Sequence, residues 1–280
     1  MTIVRLYGST GINRSFFRLM GMVLGLGSLL ILMASVFAAP AWAEEAVGMA
    51  KPWQMMMAGD FSPMRDQLVS FHNLLLVVIF AIVIVVLGLL VFIMVRFSAK
   101  NNSTPQNVSH NTLLEVVWTV VPILILMAIA VPSIKLLYFL DKVPKADMTV
   151  KVVGRQWSWS YSYPDEKVGF DSEFDPAGQP RQLAVNNAMV VPVNSNIRIL
   201  VTSADVMHSW FVPTLGVQIY ATPGRTNETW LKVNEVGTFY GQCNQICGIR
   251  HAFMPIKIVA MSQENYANWL VEAKQKFPAQ

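Results

Sequence analysis

Four residues in the segment 241–255, GQCNQICGIRHAFMP, are of types that do chemistry together: Cys243, Cys247, His251 and Met254, at spacings of four, four and three. One short loop can therefore gather two thiols, an imidazole and a thioether. A second imidazole, His208 in ADVMHSW, lies 35 residues before Cys243, ahead of an expected strand. Thiolate, imidazole and thioether in one set point to copper, because zinc sites close with Cys, His and carboxylate and rarely recruit Met.

Two Cys in an exported chain would by default form a disulfide. A bridge would explain neither histidine nor the methionine, and a loop of three residues gives a cross-link little to constrain. Two Cys, two His and one Met also exceed what a single blue-copper ion takes. Two thiolates can instead bridge two metals, each completed by one His and one weak ligand, with a backbone carbonyl inside C-x-x-x-C as the second weak one. Such a centre has no open position for a substrate and is suited to passing electrons.

The rest of the chain must position that loop. Its 280 residues are 54% hydrophobic and 14% charged, too apolar for a soluble globule, so a membrane protein is expected. The net charge of +4 comes from scattered residues, which excludes a nucleic-acid groove or a polybasic lipid anchor. At the N-terminus, Arg5, Arg14 and Arg18 precede an apolar core over residues 19–38 and an Ala41-Trp42-Ala43 site, an export signal cleaved after Ala43; an uncleaved membrane helix is the alternative. Residues 44–67, with Pro52, Gly59, Pro63 and the run Met55-Met56-Met57, read as an aperiodic linker outside the cytoplasm.

Residues 74–95 and 116–134 are free of charge and long enough to span a bilayer, giving a transmembrane hairpin over 68–140. Pro122 and Pro132 are compatible with a packed membrane helix. The connecting loop carries Arg96 and Lys100 and no acid, so it faces the cytoplasm and both ends of the hairpin face outward. Thr112-x-x-Glu115 reads as a capping box opening the second span, and Glu115 is equally a proton-relay candidate at the edge of a membrane helix.

From residue 147 to 280 the pattern changes to short strands over 148–153, 156–163, 197–202, 229–233, 238–241 and 256–260, which make one sandwich or barrel. In QWSWSYSY, Trp157, Trp159, Tyr161 and Tyr163 alternate with serines and line one face. A last helix from Ser262 presents Tyr266, Trp269, Leu270, Ala273 and Phe277 to that sandwich.

The two spans, QWSWSY, ADVMHSW, Pro223-Gly224-Arg225 and the cysteine loop together closely resemble subunit II of the haem-copper cytochrome c oxidases, over residues 70–270. The resemblance implies a cupredoxin-like Greek-key sandwich carrying a binuclear CuA centre. Cys243 and Cys247 would bridge both coppers, His208 and Met254 completing one, His251 and the Gln245 carbonyl the other. It implies that electrons arrive from cytochrome c through Trp157 and leave for haem in subunit I, where oxygen is reduced and protons are pumped. Subunit III is a further expected partner, Glu115 matches the acid at the mouth of a proton path, and the setting is a bacterial inner membrane with the copper domain in the periplasm.

Some positions depart from the family pattern. Ser158 and Ser162 replace a Tyr and an acid, and Tyr220 stands where an acid is frequent, so the acidic docking surface is thinner, leaving Asp165, Glu166, Asp171, Glu173 and Asp175. Gln245 replaces the Glu whose carboxylate holds Mg2+ shared with subunit I. Its carbonyl still serves copper, but Mg2+ binding is expected to weaken, since an amide offers no charge to a hard dication. A quinol-oxidase subunit would lack the copper ligands, all present here, and a membrane-anchored copper-storage or copper-delivery protein would need neither Glu115 nor Trp157.

Overall fold

The computed structural model describes residues 47–57, 61–104 and 109–278. The export signal read over residues 1–43 lies outside the described residues. In lipid a chain can satisfy its backbone only within a helix or a closed barrel, and the two charge-free runs form helices. These are α1 (Pro63–Arg96, 34 residues) and α2 (Thr112–Asp141, 30 residues). At 1.5 Å per residue they measure about 51 and 45 Å, against a hydrocarbon core of about 30 Å.

The surplus length meets the β domain. Ser62 caps α1, its Oγ accepting from Arg65 N at 3.0 Å and donating to Leu215 O at 2.6 Å, while Pro63 fills the first helical position, where no N–H is needed. Arg65 is buried and donates through Nη1 to Pro213 O at 3.1 Å. Near the end of α2, the Phe139 ring meets Trp230 edge-on at 5.5 Å. Helix α1 thus begins inside the stretch expected to be linker.

The capping box expected of Thr112 and Glu115 is out of frame by one residue. Asn111 is the N-cap, its side chain accepting from Leu114 N at 3.1 Å, and the Glu115 N–H bonds Asn111 O at 3.0 Å. Asn outranks Thr as a cap, and capping one residue earlier makes Thr112 the first helical residue. Glu115 becomes the fourth, one position past the box.

Two sheets form the β domain. The first has the order β5 (Met189–Pro192), β11 (Pro255–Met261), β10 (Gly237–Cys243), β7 (His208–Val212), β8 (Val217–Ala221). The second runs β4 (Val168–Ser172), β3 (Ser158–Tyr163), β2 (Met148–Arg155), β6 (Ile197–Ser203), β9 (Asn227–Leu231). Val47–Gly48 (β1), from the expected linker, adds in parallel to β10 at Thr238 and Phe239. The architecture is the expected membrane hairpin plus Greek-key sandwich. Strands β4, β5 and β8 were not anticipated: each is four or five residues long, and β5 (MVVP) is buried throughout with no alternation to reveal it.

Ile197, Ile199 and Val201 of β6 share one buried core with Trp210 and Phe239 of the other sheet. In β3 the rings of Trp159, Tyr161 and Tyr163 are buried and the serines between them half-buried. Trp157 falls in the turn before β3, so the ring-lined face has three rings and the fourth is freed for another role. Capped by Ser262, α3 (Gln263–Lys276) docks as expected, Trp269 against Tyr163 at 5.6 Å.

The Tyr163 hydroxyl ties the sheets together: it donates to Val190 O and accepts from Val190 N, each at 2.9 Å, on the open edge of β5. Tyr163→Phe leaves both buried backbone groups unpartnered and is expected to cost about 1–3 kcal/mol. Denaturant unfolding of the purified chain in detergent micelles, followed by tryptophan fluorescence, checks this. The midpoint should fall with an unchanged slope, and an unmoved midpoint would show that the bracket contributes nothing.

Candidate metal centre

Strand pairing brings the donors together. Cys243 ends β10 and pairs with Trp210 of β7, and Asn244 N continues the ladder to Ser209 O at 3.1 Å. Because the strands are antiparallel, His208 at the start of β7 lies beside the loop that follows Cys243. Cys243 N also donates to Met254 O at 3.1 Å, which closes the loop and holds Met254, 1% exposed, next to the first cysteine.

Both cysteines are free and buried, with sulfurs 3.8 Å apart, far beyond the roughly 2.05 Å of a disulfide. His208 Nδ1 lies 3.9 Å from Cys243 Sγ, and His251 Nδ1 3.5 Å from Cys247 Sγ. The Cys243 thiol points to Gln245 O at 3.3 Å, so that carbonyl also faces inward. The ligand atoms of His208, Cys243 and Cys247 lie within 4.8 Å of one another. His251, on a short helical turn over His251–Phe253, approaches from the half-exposed side. The donor chemistry fits a soft metal: two thiols, each with an imidazole nitrogen against it, and a thioether and a carbonyl close by in the chain.

Three residues around the donors were not singled out from the sequence. Asp205 Oδ1 accepts from His208 Nε2 at 2.9 Å, which leaves Nδ1 as the nitrogen free to ligate. The sequence signal was an acid three residues before a ligand His. Gly154 lies against the His208 ring, where a Cβ would come within 2.9 Å of Cδ2. Gln156, in the turn before β3, donates through Nε2 to Cys247 O at 2.8 Å, and the Trp157 indole N–H reaches the same oxygen at 3.2 Å. Trp157 thus rests on the cysteine loop. Glu115 does not join this set: it lies about 39 Å along α2 from Asp141.

Burial works against charge at each titrating group; hydrogen bonds overcome it at Asp205, His208 and Cys243 but not at Cys247. Asp205 is partly desolvated, yet bonds from His208, Gln156 N and Val206 N hold its carboxyl below the usual range. His208 is lifted despite burial by Cys243 and Asp205. Burial raises both thiols, but His208 and backbone N–H groups overcome this at Cys243, while the Cys243 thiolate adds to it at Cys247. The pair therefore shares a proton, the first leaving below the ordinary thiol range and the second held above it.

Comparison with known proteins gives one consistent answer. The family described as "Cytochrome C oxidase subunit II, periplasmic domain" matches residues 148–261, and its companion transmembrane domain matches residues 50–136. A probable cytochrome c oxidase subunit 2 of Rickettsia bellii is 48% identical over 237 residues, covering 81% of this chain and 87% of the relative. The cytochrome c oxidase subunit 2 of Phytophthora megasperma is 44% identical, covering 79% of this chain and 88% of its own. The crystal structure of the periplasmic domain of cytochrome oxidase subunit II from Bradyrhizobium japonicum is 53% identical over 49% of this chain and 99% of that one, with a TM-score of 0.48.

The metal-free chain should carry one thiolate already below the ordinary thiol range and gain the second only above it, since one proton leaves early and the other is held by the neighbouring charge. Thiolate ultraviolet absorbance against pH reads this directly. Two thiolates appearing together near the ordinary thiol value of about 8.5 would mean that the sulfurs do not share a proton.

Proposed function

We propose a function from one premise: the chain belongs to the cytochrome c oxidase subunit II family. In this reading it takes electrons one at a time from cytochrome c and hands them to haem in subunit I, which reduces oxygen to water and pumps protons. The observation that carries the reading is the pair of buried, unbridged sulfurs with an imidazole Nδ1 against each. Cys243, Cys247, His208, Met254, His251 and the Gln245 carbonyl would together hold two coppers. Copper bound there supplies reversible one-electron chemistry.

The chain's own residues do the positioning. Asp205 fixes the His208 tautomer, and the near-complete burial of Cys243, Cys247 and Met254 keeps water from the donors. Trp157, half-exposed and bonded to the cysteine loop, is suited to be where electrons enter. Glu115, freed from capping at the far end of α2, is suited to the mouth of a proton path in subunit I. Gln245 offers copper a backbone carbonyl but brings no charge to a Mg2+ at the subunit boundary.

The two apolar helices and the family set the chain in a membrane. The proposed setting is the bacterial inner membrane, with the leader removed after Ala43, residues 44–67 and 147–280 in the periplasm, the hairpin of residues 68–140 between them, and subunits I and III beside it.

Copper-loaded chain should hold two coppers and give the paramagnetic resonance spectrum of one unpaired electron shared between them; a four-line single-copper spectrum, or one copper by metal analysis, would sink the reading. Cys243→Ser or Cys247→Ser should abolish the shared spectrum. Trp157→Ala should keep copper content at two and slow reduction by cytochrome c severalfold in stopped flow. Equal rates would make the ring a packing residue only.

A further inference from the structure

We infer that Gln156 is a positioning residue that holds the two histidines of the copper site in register with each other before any metal is bound, an inference that rests on the function proposed above. It belongs to neither the strand carrying His208 nor the loop carrying Cys247, yet it bonds to both sides. Its backbone N–H donates to Asp205 Oδ2 at 2.7 Å, and Asp205 Oδ1 accepts from His208 Nε2 at 2.9 Å. Its side-chain amide donates to Cys247 O at 2.8 Å. That carbonyl belongs to the peptide entering Gly248, whose φ of +122° is open to glycine and strained for other residues. Gly248 O in turn accepts from His251 N at 3.2 Å and so sets the turn that presents His251.

The approach is close enough to exclude alternatives. A Cβ at position 248 would lie 2.9 Å from Trp157 Cζ2 and 3.1 Å from Gln156 Nε2. Trp157 supplies a second donor to the same carbonyl at 3.2 Å, so both of its lone pairs are taken and the peptide plane is fixed. The bracket spans segments 49 and 91 residues apart in sequence, which no local turn could hold together.

The test is hydrogen exchange of residues 244–254 in the metal-free, full-length chain in detergent micelles. Gln156→Met keeps the length and removes the donor; exchange across the loop should quicken about threefold to tenfold, as expected for one lost hydrogen bond. Gln156→Lys restores a donor at similar reach and should bring exchange back toward the parent. Parental exchange in the Met variant, or equal exchange in the Met and Lys variants, would overturn the inference. After copper loading, the Met variant should shift the resonance line positions while copper content stays the same. Because exchange is read without metal, a failure of the two-copper reading would appear only in the parent's spectrum and would leave this result standing.

Discussion

Two thiols that must lie within 4 Å of one another without bonding are the constraint on which the β domain depends. Left in a mobile loop in an oxidising compartment, such a pair would close to a disulfide. Here Cys243 is fixed by the end of a strand and Cys247 by a carbonyl with two donors on it, and both are buried. The sandwich does with backbone ladders what a soft-metal site requires: donors held convergent, close and dry.

The same rigidity continues toward the membrane. Helices α1 and α2 are longer than a bilayer core needs, and their surplus turns enter the domain through Ser62, Arg65 and the Phe139–Trp230 contact. A domain tethered by a flexible linker would sample many distances from the bilayer. One seated on stiff helix ends keeps a set height above it.

Electrostatics and geometry reinforce each other around the sulfurs. The proton that leaves first goes from the thiol facing His208, whose ring is charged more readily because Asp205 lies behind it. The remaining proton is held by the charge this creates. The metal-free site thus gives up its first thiol proton more readily than its second, and the second is the one an incoming soft metal must displace.

Features encoded within one helix or one loop were legible from the residues alone. Both spans follow from apolar runs whose length is a local property, and Cys243, Cys247, His251 and Met254 fall within twelve residues, so their types and spacing sufficed to point to copper. His208 was also readable as a second imidazole ahead of a strand, but it is the pairing of β7 with β10 that carries it across 35 residues to Cys243. Tertiary structure decided what depends on distant segments or on competition between neighbours. Asn111 outcompetes Thr112 for the cap, and Trp157 leaves the strand to lie on the cysteine loop. Residues 47–48, which look like linker, become a strand because β7 pairs only with the end of β10, at Gln242 and Cys243, and Thr238 and Phe239 are left to them. Asp205 and Gln156 acquire roles only when the fold brings them to His208 and Cys247. A hydrogen bond spanning 91 residues leaves no periodicity in the chain; its partners are chosen by the packing of the sheet that carries the donors against the one whose β2–β3 turn carries Gln156 and Trp157.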